Sequence, residues 1–110
     1  MASTRLIFTR DRTFTLQFTL HRSVSVDDKL YWAMKNDHAF EYYDIDPMEC
    51  TLYNQAQGVY RLTITNDLTI NLDIGKYYGE LMRVTASGAY QTLQKFDIDL
   101  VDEIISSRDI

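Results

Sequence analysis

Residues 66–81 read NDLTINLDIGKYYGEL, and this stretch decides how the chain is expected to fold. Its first half has apolar residues at every second position, as in a strand, but the Asn and Asp residues between them disfavour a regular strand. We predict a tight loop with one helical turn, which tucks Leu68 and Leu72 under a sheet edge. Gly75 supplies the backbone freedom to turn the chain into a strand that begins at Lys76. The stretch therefore predicts a corner followed by an aromatic-rich strand.

On both sides of this corner, apolar and polar residues alternate as they do in half-buried strands. The clearest example is residues 12–20, RTFTLQFTL, in which the apolar residues share one face. A polar connection over residues 21–29 and a turn at residues 36–38 separate three of the predicted strands. The predicted strands cover residues 5–10, 12–20, 30–35, 39–45, 58–65, 76–85 and 90–100.

The last two predicted strands form a hairpin, because the four residues between them include Gly88, which is free to take a positive φ. In the final strand Leu93 is out of phase with Phe96 and with the apolar positions that follow it. An extra residue in one strand produces such a phase change. We therefore predict a β-bulge near Gln94.

Residues 46–57 allow two interpretations. Asp46, Pro47 and Glu49 are typical of a helix start, with an N-cap, a proline at the first helical position and an acid three residues after the cap. Alternatively, residues 49–53 and 58–65 are strands on either side of a short polar turn, NQAQ. We favour the hairpin.

The chain has 110 residues and a mass of 12.9 kDa, which suits one domain with one hydrophobic core. Several short strands separated by turn residues, without helical periods between them, predict an antiparallel β-sandwich of seven to eight strands. We assign the sandwich to residues 1–101. Residues 102–110 form a C-terminal tail that is a strand end, a short helix or an exposed segment, and its sequence has no strong cap.

The charge and the apolar pattern exclude some classes of partner. A net charge of −5 and a pI near 4.8 argue against nucleic acid, because binding to phosphates depends on Lys and Arg. No apolar run reaches the roughly twenty residues that a bilayer requires, so we expect no membrane partner. The first residues are not followed by the apolar stretch of a secretory signal, and Cys50 is the single cysteine. We expect synthesis in a reducing cytoplasm.

Few residues suggest chemistry. His21, His38 and Cys50 do not have the spacing of zinc ligands, so we expect neither a metal nor a cofactor. The acidic pairs Asp44/Asp46 and Asp97/Asp99 could bind calcium or hydrolyse a glycoside, but the solvent face of an acidic sheet gives the same pattern. We favour the solvent face, and we expect that the chain is not an enzyme.

The eight tyrosines suggest a binding surface, because tyrosine supplies a large contact area at low entropic cost. Tyr42/Tyr43 and Tyr77/Tyr78 are pairs of adjacent residues, and in a regular strand one member of each pair must face away from the core. Trp32 is expected in the core, although a carbohydrate-binding module would use it or the tyrosines for stacking. The candidate interface residues are Tyr42, Tyr43, Tyr77, Tyr78, Ile104 and Ile105.

The order of these features resembles the immunoglobulin-like domain at the N-terminus of phage baseplate upper proteins and related tail and head-fibre proteins. The match begins with FTRDRTFTLQFTL and continues through LYWAMK. It is best in GVYRLTITNDLTINLDIGKYYGELMRVTASGAYQTLQKFDIDL, where a strand, a polar turn, a leucine, a glycine, an aromatic-rich strand, a hairpin and a closing strand follow one another. The resemblance implies an immunoglobulin-like sandwich.

The resemblance also implies a function without catalytic residues. We expect a bacteriophage virion structural protein that assembles in symmetric copies with other virion proteins on a tail, baseplate, neck or head fibre. Larger relatives continue into a receptor-binding region, whereas this chain ends at Ile110. An adaptor or decorating role is therefore expected, with the carbohydrate-binding module as the alternative.

Overall fold

The computed structural model describes residues 3–36 and 42–110, which form two β-sheets packed face to face. The strands are β1 (Thr4–Thr9), β2 (Phe14–Thr19), β3 (Lys29–Lys35), β4 (Ile45–Glu49), β5 (Thr51–Asn54), β6 (Val59–Ile64), β7 (Gly75–Val84) and β8 (Tyr90–Val101). Short 3-10 helices cover Asn66–Leu68 and Ser107–Asp109. No helix in the described ranges is long and apolar enough to cross a bilayer.

The five-stranded sheet has the order β1-β8-β7-β3-β4, and the three-stranded sheet has the order β2-β6-β5. Neighbouring strands are antiparallel except β1 and β8, which are parallel. The predicted antiparallel sandwich is confirmed, with β1 and β8 as a parallel pair within it. Although β1 and β2 are consecutive, the chain changes sheets between them, and β1 joins the five-stranded sheet beside β8.

The core lies between the two sheets and consists of the inward-facing residues of the alternating strands. Trp32 on β3 is completely buried, and Phe8 lies between it and Phe14, with ring centroids 6.2 Å and 4.3 Å away respectively. Contacts of this kind between the sheets supply most of the apolar burial that stabilises a domain of this size. The other largest fully buried side chains are Tyr60, Leu30, Met34, Ile64, Ile98 and Leu100.

The hairpin interpretation of residues 49–65 is confirmed. β5 and β6 are antiparallel and are joined by a turn at residues 55–58. Pro47 does not begin a helix but lies in β4, at the edge of the five-stranded sheet. An edge strand tolerates proline because its missing N–H is not needed on the side that faces solvent.

The strand predicted over residues 39–45 is wrong in its described part, since residues 42–44 are not in a strand and β4 begins at Ile45. The rest of that prediction, including the turn at His38, lies on residues 37–41, outside the described ranges. Tyr42 and Tyr43 therefore belong to a loop, and the two-residue alternation of a strand does not apply to them.

The bulge in the last strand is confirmed. Leu81 pairs with Gln94 and Met82 pairs with Thr92, so Leu93 is an extra residue in β8. The bulge returns Phe96 to the core face. The predicted hairpin between β7 and β8 is also present, and Gly88 at its turn has a φ of 88°.

The corner predicted from residues 66–81 is confirmed. Leu68 and Leu72 are partly buried and pack against the core, and Gly75 has a φ of 144° where β7 begins. The Tyr77 hydroxyl donates a hydrogen bond to the carbonyl oxygen of Asp73, 2.5 Å away. Tyr77 is buried, so its ring fixes the loop to the core while its hydroxyl holds the backbone upstream. Such a contact is the tyrosine corner of β-sandwich domains.

We expect Tyr77→Phe to lower the free energy of unfolding by about 0.5 to 1.5 kcal/mol, because the part-buried hydrogen bond to the Asp73 carbonyl oxygen is lost. Chemical denaturation followed by tryptophan fluorescence measures the change. Tyr42→Phe is the control, since Tyr42 is 82% exposed. Equal stability of the two variants would show that the corner hydrogen bond contributes nothing.

Candidate protein interface

The outer face of the five-stranded sheet, which points away from the three-stranded sheet, combines tyrosines with charges of both signs. Ala33 lies near its centre, and its small side chain leaves a shallow depression bordered by Tyr43 and Tyr78. Glu80 on β7 lies opposite Lys95 on β8, so side chains of opposite charge lie beside the depression. The remaining outward positions around the depression are Tyr31, Lys35, Pro47 and Met82.

The first tyrosine pair places Tyr43 beside the depression at Ala33. Tyr42 is 82% exposed and Tyr43 is 44% exposed. The ammonium of Lys35 lies 4.6 Å from the centroid of the Tyr43 ring, a cation–π contact that holds the ring over the sheet. Both members of the pair therefore contribute accessible surface.

The second tyrosine pair divides between the two sides of β7. Tyr78 is half buried and lies on the outer face, opposite Asp97 of β8. Tyr77 points into the core, where its ring is almost inaccessible to solvent. Tyr77 must therefore be removed from the candidate interface residues, because the alternation of a regular strand makes it a structural residue.

The C-terminal tail is bound to its own domain. Arg10 contacts Glu103 at 2.9 Å and Asp102 at 2.8 Å, and Arg12 donates to the carbonyl oxygen of Ile105 at 2.8 Å. Ile104 is fully exposed and Ile105 is 55% exposed. The two isoleucines proposed as contact residues thus remain accessible on a segment that is held in place by its backbone and by its acidic neighbours.

A buried carboxylate, Asp11, connects the tail to the rest of the domain. It accepts hydrogen bonds from the backbone N–H of Ser107 at 2.6 Å, from the Ser107 hydroxyl at 2.7 Å and from the side-chain amide of Asn66 at 3.0 Å. These donors, led by the Ser107 N–H, hold the pKa of Asp11 far below its usual range. Asp11 also has a φ of 62°, an αL conformation that aspartate tolerates better than most residues. Its contacts fix the corner between β1 and β2.

The expectation that the tail has no strong cap is wrong. Ser106 is the N-cap of the 3-10 helix at Ser107–Asp109, and its hydroxyl accepts a hydrogen bond from the backbone N–H of Arg108. Asp109 accepts in return from the Ser106 backbone N–H, which completes a capping box. The spacing of Ser106 and Asp109 is readable in the sequence and could have revealed this turn.

The two acidic pairs do not converge. Asp97 and Asp99 lie on β8, whereas Asp44 and Asp46 lie at the start of β4, with β7 and β3 between them. Asp99 contacts Arg5 at 2.5 Å, and Asp44 accepts from the backbone N–H of Asn36 at 2.7 Å.

The remaining candidates for chemistry are dispersed. Trp32 is completely buried, which removes it as a platform for sugar stacking. Cys50 is also buried, and desolvation raises the pKa of its thiol to about 12. His21 is exposed in a loop, and His38 lies outside the described residues. Within residues 3–36 and 42–110, no three His, Cys, Asp or Glu side chains are grouped as metal ligands.

Comparisons with known proteins inform the fold. No protein-family model and no curated protein matches the chain. Among solved structures, a match with the NK cell receptor Nkp44, described as a triggering partner in natural cytotoxicity, has a TM-score of 0.50 at 13% identity. It covers 94% of this chain and 100% of the receptor chain. The chain has the immunoglobulin-like fold. At this identity the likeness concerns the fold alone, and it agrees with the tyrosine corner on β7 and the buried tryptophan on β3.

We expect the Asp11 contacts to make stability depend on pH in the acidic range. The folded-state pKa of Asp11 lies below its ordinary value of 3.8, so the contribution of Asp11 to stability is complete at neutral pH and is lost as the pH falls below about 4. Asp11→Asn should therefore be less stable than the wild type at pH 7 and should lose less stability between about pH 4 and pH 2.

Denaturant unfolding at several pH values measures this difference. Asp28 and Glu103 also have lowered pKa values, caused mainly by hydrogen bonds with Arg83 and Arg10 respectively. Both groups titrate in the wild type and in Asp11→Asn, so they do not account for a difference between the two proteins. Asp97→Asn, which changes an exposed aspartate, is the control. Parallel curves for the wild type and Asp11→Asn would contradict a role for the Asp11 charge.

Proposed function

We propose that this chain is a bacteriophage virion structural protein, a small adaptor or decorating component of a tail, baseplate, neck or head fibre. It acts by binding neighbouring protein subunits through the outer face of the five-stranded sheet. The resemblance of its sequence to phage baseplate, tail and head-fibre domains supports the virion role. The composition of the outer face supports the mode of binding.

The observation that carries the binding mode is the depression at Ala33. Tyr43 and Tyr78 border it, and both side chains are at least partly accessible. Protein interfaces favour such aromatic residues at their centre, with charged residues around them. Here Lys35, Glu80 and Lys95 line the same depression, so a partner meets an aromatic centre with charges of both signs around it. The rigid sheet below holds these side chains in place before the partner arrives, which lowers the entropic cost of binding.

The carbohydrate-binding module remains a prediction that no contact among the described residues favours. Its strongest candidate for stacking, Trp32, is inside the core. The accessible tyrosines of the outer face lie among charged side chains of both signs. A surface of this composition suits a protein partner as well as a sugar, so it does not favour the sugar.

Mass spectrometry of purified phage particles tests the virion role. With isotope-labelled peptides as standards, the copy number of this chain is measured relative to the major capsid protein. We expect a fixed copy number that matches the symmetry of one virion substructure, because assemblies of such parts are symmetric. Absence from particles that are free of host debris would overturn the virion role.

Paired tyrosine variants test the binding surface. Tyr43 on the outer face and Tyr53 on β5 are both exposed, and each has a cation over its ring, Lys35 at 4.6 Å and Arg61 at 3.4 Å. We expect Tyr43→Asp to reduce incorporation into particles by about tenfold or more, the effect of losing a central interface tyrosine. Tyr53→Asp, on the three-stranded sheet, should be incorporated like the wild type. Equal incorporation of the two variants would contradict the use of the outer face.

A further inference from the structure

The two sheets have four edge strands, and these edges differ in how well they are protected against pairing. The five-stranded sheet ends at β1 and β4, and the three-stranded sheet ends at β2 and β5. β4 contains Pro47 beside Asp46, and β5 is only four residues long. Proline, charge and short length are the means by which edge strands avoid pairing with other chains. β1 and β2 each have six residues and no proline. The outward residues of β2 are polar, whereas β1 has one charged residue, Arg5, and the exposed apolar Ile7 at its centre.

The hydrogen-bond ladder between β1 and β8 shows which backbone groups of β1 face away from the sheet. The two strands pair without a register shift from Thr4↔Phe96 to Thr9↔Val101. The N–H of Arg10 donates to the carbonyl oxygen of Val101 at 2.9 Å, so the even-numbered residues of β1 direct their backbone groups to β8. Within the described ranges, β1 has no strand on its other side. The odd-numbered residues Arg5, Ile7 and Thr9 therefore direct their N–H and C=O groups outward.

Ile7 is at the centre of these outward groups, and its side chain is 67% exposed. It lies between two shallow apolar depressions. One is on the outer face, where Ile74 and Val101 are 51% and 39% exposed. The other opens between the two sheets and is lined by Phe14 and Leu16, which are only partly buried. An exposed apolar residue in the middle of an unprotected edge is a pairing site.

We propose that two copies of this chain pair through β1, antiparallel and around a twofold axis at Ile7. Residues that exchange both hydrogen bonds in an antiparallel pair must each direct their backbone groups to the partner strand. With Ile7 opposite Ile7 of the second copy, Arg5 lies opposite Thr9, and all three outward residues meet this requirement. The edge is thus complementary to itself, as a twofold interface requires.

The side chains and charges favour the same register. Directly opposite residues in an antiparallel pair share a face of the sheet. Ile7 meets its own copy on the outer face, and Leu6 meets Phe8 on the inner face, so apolar residues cover each other. Arg5 meets the neutral Thr9 and is already paired with Asp99 at 2.5 Å. No like charges are opposed along β1, although the chain as a whole has a net charge of −5.

Sedimentation velocity of the purified chain tests the proposal, measured from about 1 µM to about 1 mM, the range in which moderate and weak dimers dissociate. We expect a dimer at high concentration. Ile7→Pro removes the outward N–H on the twofold axis and spares the ladder to β8, so it should raise the dissociation constant at least about tenfold.

Gln17→Pro on β2 is the matched control for Ile7→Pro, because Gln17 does not line the depression beside Ile7. Leu20 N–H donates to the carbonyl oxygen of Gly58 at 2.9 Å, so the even-numbered residues of β2 pair with β6 and Gln17 also directs its N–H outward. The same substitution at this second edge should leave the dimer intact. Circular dichroism confirms that each variant is folded.

A disulfide experiment tests the register and does not depend on the proline variants. Hydrogen-bonded antiparallel pairs have Cα atoms about 5.5 Å apart, within the range of a disulfide. Ile7→Cys should therefore form a covalent dimer under mild oxidation. Arg5→Cys should not, because the two copies of residue 5 are about four residues, or roughly 13 Å, apart along the strands. The native Cys50 is buried and does not compete.

The outcomes separate this proposal from the virion role, on which it builds. A monomer throughout the concentration range overturns the β1 dimer and leaves the particle measurements unaffected. A dimer that tolerates Ile7→Pro, or that cross-links equally through Ile7→Cys and Arg5→Cys, overturns pairing through β1. A β1 dimer together with absence from particles overturns the virion role alone.

Discussion

The packing of Trp32 against Gly79 is the contact on which the rest of the sandwich depends. Trp32 is completely buried, and a Cβ atom added to Gly79 would lie 3.2 Å from its Cζ2 atom and 3.0 Å from Cδ1 of Ile98. A Cβ atom at these distances would require the indole or the Ile98 side chain to shift, so glycine suits this close approach between β3 and β7. In antibody domains the residue two positions after the corner tyrosine is a cysteine of the disulfide between the sheets. Here the tyrosine corner is at Tyr77, Gly79 stands in that cysteine's place, and apolar packing replaces the covalent link.

Both ends of the sandwich are held by a buried aspartate. At one end Asp11 joins the corner after β1 to Asn66 and to Ser107 of the tail. At the other end Asp28 contacts Arg83 at 2.8 Å and accepts a hydrogen bond from the backbone N–H of Ala86. A buried carboxylate is costly unless it is paired or hydrogen-bonded, so each aspartate specifies the loops that surround it. The core determines that the sheets pack together, and these polar contacts determine how their ends are closed.

Most strands, the turns of the two confirmed hairpins and the bulge at Leu93 could be predicted from the sequence, because each is encoded by neighbouring residues and by the two-residue period of a strand. The assignment of β1 and β2 to different sheets could not be predicted in this way. Apolar and polar residues alternate in the same manner in both strands, and only the order of strands in the two sheets shows that β1 and β2 belong to different sheets. The buried position of Asp11 was also unpredictable, because its donors lie far away in the sequence. Of the candidate interface, Tyr42, Tyr43 and Tyr78 are accessible, whereas Tyr77 was misplaced because a strand period does not show which residue of an adjacent pair points inward.

The two proposed contact surfaces are compatible in one assembly. Pairing through β1 extends the five-stranded sheet across the twofold axis, because β1 is its edge strand. The outer faces of both copies then lie on the same continuous sheet, with the depression at Ala33 three strand spacings from β1, or about 14 Å. Self-association at the edge therefore leaves the aromatic centre of each copy accessible and presents two of them on one surface. Two linked sites bind a symmetric array of partners more tightly than one site does, without any additional contact. A small domain without a disulfide among its described residues can in this way combine a weak edge contact and a weak face contact into stable attachment.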